Sequence, residues 1–159
     1  LAKANRYLLL ITILAVAAAI YFALFYDPVD RPGETRGPFG KGRQAVTEGR
    51  YQEAVRLLDK YLADFPSGRN TSRAHFFLAK AQLGLGNVDK ARGSFAYVIA
   101  TYPDSLEAHK SRYKLGLMDF TEGKLPDASR RFAELVRSPN GPLVPEAKMM
   151  QDYLASFEK

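Results

Sequence analysis

Two histidines, His75 and His109, are the first residues to weigh as chemistry, because an imidazole can ligate a metal or move a proton near neutral pH. They stand far apart, and no carboxylate set at ligand spacing surrounds either, so both are expected to be structural and no metal is expected. The chain has no cysteine, which removes disulfides, thiolate zinc sites, iron–sulfur clusters and covalent haem attachment. Gly84-Leu85-Gly86 falls at the end of an expected helix, with no strand before it and no Walker lysine after it, so it is not a phosphate loop. Asp104 and Glu107 suit a helix start, where carboxylates meet the positive end of the dipole. No serine has a His and Asp escort. These residues predict no enzyme, no cofactor and no small-molecule substrate.

The formal charge is +6, from 23 basic against 17 acidic residues. Lys3 and Arg6 are offset by Asp27 and Asp30, so the excess lies beyond residue 30. A basic surface of this kind suits acidic partners or anionic lipid. Nucleic acid is not expected, since no basic run is longer than Arg130-Arg131.

What must position any such surface begins with an apolar block. Residues 8–25 read LLLITILAVAAAIYFALF, with Thr12 as the one clearly polar residue. Tyr7 to Tyr26 is 20 residues, about 30 Å as a helix, which matches a bilayer's hydrocarbon core. The run is longer than the core of a signal peptide and lacks a small-x-small site, so a retained single-pass transmembrane helix over residues 1–26 is expected. Ala15, Ala19 and Ala23 form a small-residue stripe on which another membrane helix could pack. The basic flank before the helix places the N-terminus in the cytoplasm. Residues 27–42 hold three prolines and four glycines and read as a linker without regular structure.

Beyond the linker the chain repeats at 37 residues. Gly49, Gly86 and Gly123 share one slot; Ala54, Ala91 and Ala128 another; Leu58, Phe95 and Phe132 a third. Tyr61, Val98 and Leu135 follow, then Pro66 and Pro103. Periods in this range mean stacked supersecondary units. Each unit reads as a helix, a glycine turn and a second helix whose alanine permits close approach and whose large apolar residues fill the groove.

With Gly42, Ala79 and Gly116 at position 8, the alanines at 20, the large apolar residues at 24 and the prolines at 32, the chain resembles the tetratricopeptide repeat family, in its divergent bacterial envelope branch. The period is 37 rather than 34, and Pro38, His75 and Arg112 replace the family's tryptophan. The resemblance implies an all-α fold: a right-handed α-solenoid of three hairpins over residues 38–140, divided at about 38–67, 72–104 and 109–140. Residues 144–158 place Ala147, Met150, Leu154 and Phe157 at helical spacing, as a helix that caps the stack.

In this family the first helix of each hairpin lines the concave face. The resemblance thus implies a partner-binding row at Arg36, Arg73 and Lys110, at Phe39, Phe76 and Tyr113, at Arg43, Lys80 and Leu117, and at Phe120 with Val46 and Leu83. Basic and aromatic residues together suit a partner segment with acidic and apolar groups. Asp119 takes position 11, which faces the partner helix and which Ala45 and Gln82 occupy in the other units. If buried, it needs a donor such as Arg130 or Arg131. The expected function is a scaffold subunit of a membrane complex, bacterial inner-membrane with its repeats in the periplasm. The alternative is a freestanding periplasmic adaptor. The expected partners are other protein subunits, and the bilayer through residues 7–26.

Overall fold

In the computed structural model, the structure describes residues 15, 16, 20, 37–68, 70–138 and 141–156. Among them the regular structure is helical, with no strand. Seven bounded helices run in order: α1 Gly37–Thr47, α2 Tyr51–Asp64, α3 Thr71–Gly84, α4 Val88–Thr101, α5 Leu106–Thr121, α6 Leu125–Val136 and α7 Val144–Ala155. Each packs chiefly on the next, and α1 also reaches α3, as α3 reaches α5. The result is a row of helical hairpins in which the first helix of each meets the first helix of its neighbour.

The turn within each hairpin follows from one glycine. Gly49, Gly86 and Gly123 hold φ of +74°, +76° and +74°, the left-handed region that a Cβ disfavours. At the middle turn the Asn87 N–H donates to the Gln82 carbonyl at 2.9 Å, and the Gly86 N–H to that of Leu83 at 3.0 Å. The same pair of bonds recurs at Ala45 and Val46 and at Asp119 and Phe120. This is the Schellman closure, which satisfies carbonyls that the helix end would otherwise orphan. The next helix then starts without a side-chain cap at Arg50, Asn87 or Lys124.

Between hairpins the chain turns at Phe65 and Tyr102, whose backbones match (φ −136°, ψ 67° and φ −131°, ψ 55°). The following helices are secured differently. The Thr71 hydroxyl donates to the Gly68 carbonyl at 2.7 Å, whereas Ser105 caps α5 by accepting from the Ala108 N–H at 3.0 Å.

Packing repeats with the sequence. Ala54, Ala91 and Ala128 are each 0 % exposed, and so are Leu58, Phe95 and Phe132. A Cβ added at Gly42 would stand 2.8 Å from Leu58, and one at Gly116 would stand 2.8 Å from Phe132, so these glycines set how closely the two helices of a hairpin approach. One apolar cluster runs from Phe39 through Leu58, Phe76 and Phe95 to Leu115 and Met118. A second joins Leu117, Phe132 and Leu135 to Ala147 and Leu154 of α7.

Residues 38–42, which the sequence placed both in the linker and in the first repeat, are part of the repeat's first helix. With Gly37 they form the first turns of α1, not irregular chain. Pro38 is tolerated there because the first helical N–H groups have no partner to lose. Gly40 and Gly42 are buried packing positions rather than breakers. Among the described residues no helix is long and apolar enough to cross a membrane. The expected span over 7–26, with Ala19 and Ala23 of its stripe, lies outside the described residues except for Ala15, Val16 and Ile20, whose backbone is helical.

Candidate protein-docking surface

The first helices α1, α3 and α5 carry the basic and aromatic residues picked out from the sequence, and the structure brings the two rows into contact. The Arg73 guanidinium lies 5.5 Å from the Phe39 ring centre. Lys80 Nζ sits 5.5 Å from the Phe77 ring and 6.0 Å from that of Phe76, and Lys110 Nζ 5.8 Å from Phe76. Cations at these distances are held by the negative faces of the rings. Arg73 also faces Glu107 at 3.7 Å.

The aromatic row is not an open surface. Phe39 meets Tyr61 at 5.4 Å and Phe76 meets Phe95 at 5.7 Å, both with tilted rings, so both fill spaces between helices. Phe39, Phe76 and Leu117 are core residues, and Arg43 and Lys80 are buried beside them. Arg73, Lys110, Tyr113 and Phe120 are half-buried. Tyr113 meets Phe132 edge-on at 5.6 Å, and its hydroxyl is pushed up in pKa by burial and by the charge of Glu146. Arg36 lies outside the described residues. The partial exposure of Arg73, Lys110, Tyr113 and Phe120 therefore leaves them as the accessible part of the proposed row.

A cleft missed in the sequence lies at the α5–α7 seam, lined by Tyr113, Leu117, Glu146, Met149, Met150 and Tyr153. Met149 and Tyr153 stand four apart on α7, off the stripe of Ala147, Met150 and Leu154. That second apolar face was the available signal. Met149 is 68 % exposed, and Tyr153 contacts Phe120 edge-on at 5.9 Å. Val16 and Ile20 line the same cleft.

Asp119 is buried and ion-paired. Its Oδ2 accepts from Arg131 Nε at 2.6 Å, and its Oδ1 from Arg92 Nη1 at 2.6 Å. Arg131 was one of two expected donors. The other, Arg130, instead pairs with Asp127 at 2.8 Å. Arg92 comes from α4 of the preceding hairpin and also donates to Glu122 at 2.8 Å. Glu122 is held below the ordinary carboxylate pKa by the Lys124 and Arg92 bonds. With each Asp119 oxygen engaged by a guanidinium, the geometry is that of a structural clamp across α4, α5 and α6.

Neither histidine sits in a ligand set, and no group of three metal-capable side chains occurs among the described residues. The His75 ring packs on Tyr97 at 4.6 Å, and burial lowers its pKa while Asp59 pulls the other way. His109 Nδ1 lies 3.0 Å from the Ser105 carbonyl. Residues 39–105 match the tetratricopeptide repeat family. The matched stretch spans the first two hairpins and ends at the cap of α5, so the third hairpin rests on its own geometry. That family is typically a non-catalytic protein-interaction scaffold, and its repeats mediate protein–protein contacts. No curated protein matches the chain.

Proposed function

We propose that this chain is a membrane-anchored scaffold, an accessory subunit whose hairpin stack holds a segment of another protein within a multi-subunit membrane complex. The observation that carries the reading is the set of cations laid over aromatic rings along the inner helices, in repeats of a protein-interaction family. A partner segment with acidic and apolar side chains fits that surface. Carboxylates would form charge-assisted bonds with Arg73 and Lys110, and apolar groups would bury Tyr113 and Phe120. Residues 7–26 supply the anchor, and the stripe Ala15, Ala19 and Ala23 the contact with a neighbouring membrane helix. In this reading the N-terminus is cytoplasmic, the membrane a bacterial inner membrane, and the hairpins periplasmic.

Purification of the tagged chain from its native membrane, with mass spectrometry of what remains attached, tests the proposal. A stoichiometric large particle is expected. The double variant Arg73→Gln, Lys110→Gln, which removes both charges without setting a like charge against Glu107, is expected to weaken retention of the partner at least about tenfold while the helical content of the stack is kept. A chain that purifies alone, or a variant that retains its partner fully, counts against the scaffold.

A further inference from the structure

The α5–α7 cleft is walled in part by residues from the chain's own N-terminal segment. Ile20 packs against the cluster that includes Leu117, Phe132 and Leu154, and Val16 lines the same cleft. Both have helical backbone and both are half-buried. Val16 and Ile20 thus face the same cleft with apolar side chains. Opposite them stand two thioethers, Met149 and Met150, whose unbranched chains adapt to β-branched shapes. The rings of Tyr113 and Tyr153 also line the cleft.

We infer that this cleft is a docking site for the chain's own N-terminal apolar segment, seated through Val16 and Ile20. The run LLLITILAVAAAIYFALF exposes a continuous apolar surface in water, and burial against other apolar surface relieves that cost wherever lipid is not available. A face seated in the cleft cannot lie in lipid at the same time. The docked segment and the membrane-inserted segment are therefore alternative states of one chain, with the cleft sheltering the segment outside the bilayer. This inference does not depend on the identity of any partner held by the basic row.

The three methionines of residues 1–159 and their lack of cysteine give a direct test on this whole chain in detergent-free buffer. With ¹³C-labelled methyl groups, Ile20→Asp is expected to shift the Met149 and Met150 signals. Met118, 3 % exposed in the other apolar cluster, should hold its position. In a second arm, Ile20→Cys with Met150→Cys is expected to give a monomeric product with a short bismaleimide. Ile20→Cys with Lys60→Cys, on the exposed face of α2, should give none. Unmoved Met149 and Met150 signals overturn the inference, as does equal linkage at position 60. A dimeric product at position 150 assigns the cleft to a second copy and overturns it too. So does precipitation of the unmodified chain when detergent is removed. None of these outcomes bears on co-purification of a partner, so the two readings fail separately.

Discussion

At Asp119 a single side chain decides between chemistry and structure. Both carboxylate oxygens are engaged by arginines from different helices, and the residue is 2 % exposed. Asp119→Ala removes the acceptor shared by Arg92 and Arg131. Breaking one side of a buried pair costs about 3–5 kcal/mol. The two guanidinium side chains are 25 % and 27 % exposed, and Glu122 still accepts from Arg92, so water and that neighbour recover part of the loss. A cost of about 2–3 kcal/mol in urea unfolding is expected. Arg130→Ala, which breaks only an exposed pair with Asp127, should cost no more than about 1 kcal/mol. Equal effects would mean that the clamp across α4, α5 and α6 carries no weight. Arg131 was legible in the sequence because it lies on the facing helix of the same hairpin. Arg92 was not, because a 37-residue period says which residues are equivalent but not which side chains of adjacent units meet.

The same limit holds for whole elements. The glycine slots were readable because a helix end followed by another helix needs a left-handed residue, and three glycines at one spacing mark three such ends. The aromatic slots were not. Phe39 and Phe76 stand where an open face was expected, yet they fill the space between helices, since a large ring at that position buries more apolar area there than in solvent. The start of α1 was read two ways, since residues 38–42 fell both in the glycine- and proline-rich linker and in the first repeat, where Gly42 took the small-residue slot; Gly40 and Gly42 are packing positions within the helix. Gly86 allows the turn argument to be tested without a packing change. A Cβ added there meets nothing within 4 Å, so any cost of Gly86→Ala is conformational. That substitution is expected to destabilise by about 1–2 kcal/mol. Gly86→Asn should cost less, since asparagine visits the left-handed region more readily. If alanine and asparagine melt alike, at the wild-type temperature, the turn does not select glycine by its φ.

At the scale of the molecule, a stack of hairpins has one recurring problem: its last unit has no neighbour. Here α7 answers it, setting Ala147 and Leu154 against Leu117, Phe132 and Leu135. The cap was legible from the spacing of its apolar residues, but its second face, with Met149 and Tyr153 turned toward the cleft, came from the fold. In a repeat array stability is close to a sum of unit and interface contributions, so the effect of losing the cap depends on distance from it. A chain cut after residue 141 would leave the α5–α6 surface without its cover. The cluster of Phe39, Leu58, Phe76 and Phe95 draws nothing from α7 and should persist. Hydrogen exchange should therefore show lost protection in α5 and α6 and near-native protection in α2 and α3. The bared face is large and apolar, so the cut chain should also associate with itself in sedimentation. Uniform loss of protection from α1 to α6 would mean that the hairpins fold as one indivisible unit, and the additive description of the stack would then fail.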